Sequence, residues 1–325
     1  MKRALITGIN GQDGHYLSLL LKENGYDVYG LDISRVRDDD HYFVADITDT
    51  RSLAPVIQTT RPSEIYHLAA QSSVAASHDK EQSTISINAH GLSHLVDACR
   101  AADIDLSELR ICQASSSEIF GYHTPSPLNE LAPFAPETPY GRSKLIAHEY
   151  ACALRSEGVF ACNAILFNHE SPLRPETFVS QKIATGVARI KAGLEETITL
   201  GDISICRDWG FAGDYVEAMW LMLNQDTPDD YVIASGKPHS ISSFLELAFK
   251  HVGISDWESH VATDRRFMRD TDATILSGDP DKAKRELGWT PKVTFDQLVA
   301  LMVDAAIERL GSSPTNHSDS TRRRN

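Results

Sequence analysis

Four side chains in the first half of this sequence have the types and spacing of a hydrogen-transfer centre: Ser116, Glu118, Tyr140 and Lys144. Tyr140 and Lys144 stand in YGRSK at i and i+4, so on a helix they share one face. An ammonium beside a phenol stabilises the phenolate and lowers its pKa, so Tyr140 can exchange a proton with a substrate hydroxyl while a hydride moves to a nicotinamide. Ser116 ends an apolar run and can hydrogen-bond an oxygen on which charge develops. Glu118 is harder to place. It follows Ser116 by two positions in ICQASSSEIFG, residues 111–121, and a simple hydride-transfer site has no use for a carboxylate base. Standing alone it would be a capping or salt-bridging residue at a strand-end turn.

The nucleotide that such chemistry needs has its own signal. Gly8, Gly11 and Gly14 follow the first apolar run in the spacing GxxGxxG. Glycines at a strand-to-helix junction let the backbone turn tightly and approach a pyrophosphate, which the helix N-terminus attracts through its unpaired N–H groups and dipole. Asp32 ends the second apolar run, where a carboxylate can accept hydrogen bonds from an adenosine ribose; this favours NAD. Arg35 and Arg37 follow closely and could instead pair with a 2′-phosphate, which would favour NADP. Asp46 is a weaker candidate for contact with the adenine.

The runs LITG (5–8), DVYGLD (27–32), HYFVAD (41–46), EIYHLAA (64–70) and RICQAS (110–115) read as buried parallel strands. Helix-length amphipathic segments lie between or after them at 16–24, 51–60, 88–102 and 140–157, and ACNAILF (161–167) reads as a further strand. This alternation predicts an α/β fold of the Rossmann type, a doubly wound parallel sheet. Beyond Phe167 the pattern decays into helices such as 179–193, short strands such as TITLG and polar loops. Residues 1–167 are therefore expected to form the nucleotide-binding domain. Residues 168–310 should form a smaller, mainly C-terminal α/β domain, with segments crossing back to the sheet. Residues 311–325 lack apolar side chains and are expected to be a disordered tail.

Composition excludes several classes. The 325 residues are 42% hydrophobic and 23% charged, enough for a substantial core. A formal charge of −14 disfavours binding to nucleic acid or anionic membrane, both of which need a basic surface. No run approaches a bilayer span, and no signal-peptide apolar region is completed before the first glycines, so the expected location is cytoplasmic. Five dispersed cysteines read as reduced core thiols, and thirteen histidines without metal-site spacing predict no metal.

The glycine turn with Ser116, Tyr140 and Lys144 resembles the extended short-chain dehydrogenase/reductase superfamily. Within it, GQDG (11–14), HLAAQSSV (67–74), QASSSEIFG (113–121), PYGRSK (139–144), ILFNHESPLR (165–174) and RDWGFAGDYVEAMWLML (207–223) resemble the GDP-mannose 4,6-dehydratases. The likeness runs from Arg3 to about Pro291. It implies a GDP-sugar substrate, NADP as cofactor, and an answer for Glu118. In the implied reaction Tyr140 takes the proton of the sugar 4-hydroxyl as C4 is oxidised. Glu118 then removes the acidified C5 proton and returns a proton to the leaving 6-hydroxyl. The resemblance implies cofactor contacts at Gly8, Gly11, Gln12, Asp13 and Gly14, at Asp32, Arg35, Asp46 and Ile47, at Leu68, Ala69, Ala70, Gln71 and Ser72, and at Lys144, His169 and Arg174. It implies substrate contacts at Asn168, Lys182, Arg207 and Arg269, the cations gripping a diphosphate.

Four departures from the family pattern stand out. Ser116 replaces a threonine, Ser83 stands where a tyrosine is usual, and Asp270 follows Arg269 where proline is usual. The segment between Asp32 and Asp46 is shorter than in typical members, whose long basic arm there reaches the 2′-phosphate and a neighbouring subunit. Asp32 occupies a normally non-acidic position, so cofactor selectivity is expected to be relaxed or reversed toward NAD. Relatives imply a homodimer, with a homotetramer as the alternative. The rival activities are a GDP-4-keto-6-deoxymannose reductase and a dehydratase or 4-epimerase of another GDP-sugar.

Overall fold

The computed structural model describes residues 1–35, 39–123, 125–267 and 275–312. Arg37, Arg269, Asp270 and the tail from 313 onward lie outside the described residues.

The elements follow in chain order. β1 (Arg3–Thr7), α1 (Gln12–Glu23), β2 (Asp27–Asp32), β3 (Tyr42–Val44), α2 (Thr50–Thr60), β4 (Glu64–His67), α3 (Val74–Asp79), α4 (Glu81–Ala101), β5 (Arg110–Ala114), α5 (Pro139–Ser156) and β6 (Phe160–Leu166) form the first half. The second half holds β7 (His169–Glu170), α6 (Val179–Lys191), β8 (Ile198–Leu200), β9 (Cys206–Asp208), β10 (Gly210–Phe211), α7 (Ala212–Leu223), β11 (Asp230–Ile233), β12 (Pro238–Ser240), α8 (Ile241–His251), β13 (Val261–Thr263), β14 (Ile275–Leu276), α9 (Asp281–Leu287) and α10 (Phe295–Ser312).

One parallel sheet orders its seven strands β11-β6-β5-β4-β1-β2-β3. Because strands alternate faces, β1 sends Ala4 and Ile6 into a cluster with Leu17, Leu21, Met219 and Met222, and Leu5 into an opposite cluster with Leu53, Ile57, Leu92 and Leu154. Burial on both faces explains why the strands read as continuous apolar runs. Chain order reverses between β1 and β4, which opens a crevice at the carboxyl ends of these strands. α7 packs on α1, and β11 completes the sheet beyond β6. α6, α8 and α10 share a separate core of Ile183, Val187, Phe244, Phe249, Met302 and Val303.

Several boundaries differ from the expected ones. β1 stops at Thr7 because Gly8 takes φ +71°, and β4 stops at His67, leaving Leu68–Ala70 in the crevice loop. β3 spans only Tyr42–Val44, so Asp46 lies in a loop where it binds Thr48 through N–H and hydroxyl, at 2.8 and 2.7 Å. α10 continues through Ser312, past the expected start of the tail. Of the cysteines, Cys99, Cys112 and Cys162 are buried, but Cys152 and Cys206 are only half-buried.

Candidate active site

At the crevice between β1 and β4 the protein's own backbone segments pack so closely that only glycine fits. A Cβ on Gly8 would lie 2.9 Å from Ala69 N and Cα, and one on Gly14 would lie 2.6 Å from Gly8 O and Ile9 Cα. Gly11 caps α1 without a side-chain hydrogen bond, so the helix N-terminus keeps its amides for a ligand. Behind this turn, Thr7 Oγ1 accepts from Leu68 N and Ala69 N at 3.2 and 3.1 Å. The same hydroxyl lies 2.8 Å from His67 Nδ1. Burial and the Lys144 charge push His67 down to about 3, so its ring is neutral and can accept the hydrogen bond of the Thr7 hydroxyl. Thr7 and His67 thus pin the Leu68–Ala69 backbone to the glycine turn. Gln71 continues the wall, its N–H donating to Asn88 Oδ1 at 2.8 Å, and Asn88 in turn donates to Ser143 Oγ. Ser72 is exposed at the rim.

At the far end of the turn, Asp32 accepts from Asn10 N at 3.1 Å and from Ile33 N at 2.8 Å. The carboxylate closes one side of a small cavity lined by Ile9, Asn10, Ser34, Arg35, Tyr42 and Phe43. Arg35 is exposed at its edge, Ile47 is buried, and Asp46 is exposed nearby.

The end of β5 and the start of α5 bring the chemistry to one place. Ser116 follows β5 and caps the turn Ser117–Phe120, accepting from Glu118 N at 3.2 Å. α5 starts at Pro139 because Thr138 Oγ1 accepts from Gly141 N at 2.9 Å; Tyr140 and Lys144 then fall on its sheet-facing side, both buried. Lys144 Nζ donates to Ala114 O at 2.9 Å and sits 5.8 Å from the centre of the Tyr140 ring. Burial pushes Lys144 down to about 8, against the charge of Asp13. Contrary to the simple ammonium–phenol expectation, Tyr140 is pushed up to about 12. Burial is the main cause and Glu118 adds to it, while a hydrogen bond with Ser116 and the charge of Arg174 oppose it.

After β6, His169 donates from Nδ1 to Phe167 O at 2.8 Å and faces Asp13 Oδ2 through Nε2 at 2.9 Å. Gln12 reaches the same motif, donating to His169 O at 3.0 Å and accepting from Ser171 at 2.8 Å. Arg174 Nε lies 3.1 Å from Glu170 Oε2, with its guanidinium 3.6 Å from the Phe178 ring centre. Ser180 fixes that glutamate at 2.6 Å. Asn168 O accepts from Gly210 N at 2.9 Å, which ties β7 to β10 and to Arg207 in β9 just before it. Lys182, on α6, sits 4.2 Å from the Phe267 ring centre. Ser83 is exposed and spends its hydroxyl on Lys80 O.

Sequence reading missed the supports Thr7, His67, Asn88, Glu170 and Tyr122. It also missed a group of His148, Cys152 and Asp230, brought within 4.8 Å of one another by α5 and β11. Asp230 there is held by Arg155 and by Asn163 Nδ2, which makes the group a partly buried polar network below Ser115.

This combination of a parallel sheet, glycine turn and Ser-Tyr-Lys group at the strand ends defines a nucleotide-dependent dehydrogenase-like enzyme of the extended short-chain class. The model of the GDP-mannose 4,6 dehydratase family matches residues 5–302, and the chain belongs to that family. It is 45% identical to "GDP-mannose 4,6 dehydratase 1" of Arabidopsis thaliana over 94% of this chain and 90% of that protein. Among solved structures, RMD of Pseudomonas aeruginosa, complexed with NADPH, superposes with TM-score 0.81 at 24% identity, covering 95% of this chain and all of that one. A UDP-glucose 4-epimerase of Thermus thermophilus, in complex with NAD, superposes with TM-score 0.79 at 25% identity, covering 94% and 98%.

Proposed function

We propose that the chain converts GDP-mannose to GDP-4-keto-6-deoxymannose and water, with Ser116, Glu118, Tyr140 and Lys144 as its working groups. The observation that carries this is the placement of Glu118 two residues beyond Ser116, in the turn that Ser116 caps, close enough for its charge to act on Tyr140. Oxidation and elimination then have separate proton carriers at one sugar.

Tyr140 takes the 4-hydroxyl proton while Ser116 hydrogen-bonds that oxygen, and Lys144, held by Ala114 O, stands beside the ring. Glu118 takes the C5 proton and passes one to the departing 6-hydroxyl, which leaves as water. Tyr140 later gives its proton to C5, which restores the phenolate and balances the protons. A bound nicotinamide would supply the hydrogen chemistry, taking hydride from C4 and giving it back at C6. The residues fit such a cofactor: glycine permits the tight Gly8–Gly14 turn, the N-terminus of α1 has no side-chain cap, and Asp13 Oδ1 is buried without a hydrogen-bond partner. Gly11, Gln12, Asp13, Leu68–Ser72, Ile47, Asp46, His169 and Arg174 would line it. Asn168, Lys182, Arg207 and Arg269 would meet the GDP-sugar, and residues 168–310 would supply most of that side.

NAD is the preferred cofactor in this account. The Asp32 carboxylate stands at the ribose end of the turn, where it would repel a 2′-phosphate. Among the described residues no helix is long and apolar enough to cross a membrane. We propose a cytoplasmic location on the sequence reading alone. α4 and α5, which pack on each other, are the surface through which the chain would form a homodimer.

Incubation with GDP-mannose and catalytic oxidised cofactor tests the function. Loss of one water without accumulation of reduced nicotinamide supports it. No conversion, together with NAD(P)H-dependent consumption of the 4-keto-6-deoxy sugar, would establish the reductase instead.

A further inference from the structure

Tyr122, to which the sequence alone assigned no role, returns onto the carboxylate of Glu118. Its Oη donates to Glu118 Oε2 at 2.7 Å, the short distance of a charge-assisted O–H···O⁻ bond. The approach is built by the backbone. Glu118 sits in the 3₁₀ turn capped by Ser116, and the chain leaves that turn through Gly121 at φ +71°. A Cβ on Gly121 would lie 2.1 Å from Ala135 O, so glycine is required and the exit direction is fixed. Tyr122 N then donates to Glu137 Oε1 at 2.8 Å. Both ends of the tyrosine are therefore held, one on Glu137 and the other on Glu118.

We propose that Tyr122 is a positioning residue for the elimination step, orienting the Glu118 carboxylate and keeping it ionised until it takes the C5 proton. This rests on Glu118 being the acid/base of that step. A glutamate carries several rotatable bonds, and a phenol bonded to one oxygen selects a single orientation of the carboxylate. The bond is strong while Glu118 is charged and weakens once it is protonated, so the phenol favours the base form without blocking return of the proton. Tyr122 has no part in oxidation at C4, where Tyr140 carries the proton.

The two steps separate in a single turnover with GDP-mannose and stoichiometric oxidised cofactor. Tyr122→Phe should form reduced nicotinamide at the wild-type rate. Its decay should be slowed about 10- to 100-fold, the loss expected for a hydrogen bond to a charged group, so the reduced form accumulates transiently. Glu118→Gln is run beside it and should accumulate reduced nicotinamide with little decay. If Glu118→Gln stalls in this way while Tyr122→Phe behaves as wild type, the Tyr122 role is overturned and the Glu118 base stands. If Glu118→Gln completes the reaction normally, the base assignment itself fails, whatever Tyr122→Phe does. Equal slowing of both steps in Tyr122→Phe, with a lowered Tm, would show a merely structural hydroxyl and overturn the proposal.

Discussion

His169 Nε2 stands 2.9 Å from Asp13 Oδ2, joining a strand-end motif to the glycine turn across 156 positions of sequence. The other ring nitrogen faces Phe167 O, so both nitrogens meet acceptors, an arrangement that favours the charged ring. Burial alone would lower the His169 pKa, but Asp13 outweighs it and holds the group above its ordinary 6.5. Burial likewise would raise Asp13, and His169 holds it below 3.8.

The sign of the linkage follows from these directions. The Asp13 contribution to stability is present above 3.8 and is lost as pH falls through its depressed folded value. The His169 contribution is full below 6.5 and is lost as pH rises through its raised folded value. Asp13→Asn should therefore flatten the loss of Tm on the alkaline side of 6.5. Thermal denaturation of wild type and variant across that range checks it; parallel slopes would contradict the pairing.

Gly14→Ala places a methyl carbon 2.6 Å from backbone atoms of Gly8 and Ile9, which have no rotamer to yield. A loss of about 1–3 kcal/mol is expected from such overpacking, accompanied by weakened cofactor binding. Chemical denaturation and cofactor titration on the same sample measure both. Undiminished affinity would move the nucleotide away from this turn.

The negative charge of Glu118 helps to raise Tyr140, so Glu118→Gln should move the phenol titration to lower pH. The readout is the rate of reduced-nicotinamide formation as a function of pH, since that step does not require elimination. A profile unchanged from wild type would show that the two groups do not sense each other.

Asp32→Ala removes the carboxylate that meets Asn10 N and Ile33 N. Affinity for NADP relative to NAD should rise at least about 10-fold, on the order of 1.4 kcal/mol. Competitive binding of the two cofactors decides this. Wild type binding NADP as tightly as NAD would refute the preference given to NAD.

The parallel sheet was legible because β1, β4, β5 and β6 are largely buried on both faces, which leaves short runs rich in apolar and branched residues. Ser116, Tyr140 and Lys144 were legible because one helix and one strand end present them locally. Long-range supports were not. His67 and Thr7 meet across 60 positions, and Ser171 meets Gln12 across 159, with no local pattern to announce either pair. The titration of Tyr140 was misjudged for a related reason: the neighbouring lysine is visible in sequence, whereas complete burial beside Glu118 belongs to the tertiary fold.

The central claim is one sugar oxidised at C4, dehydrated across C5 and C6, and reduced at C6 within the same site. GDP-mannose carrying deuterium at C4 tests this most directly, with product examined by mass and NMR. Internal transfer should give loss of one water and deuterium at C6 of the 4-keto product. Deuterium appearing instead in free cofactor, or a product lacking it at C6, would contradict the internal transfer on which the assignment of Ser116, Glu118, Tyr140 and Lys144 depends.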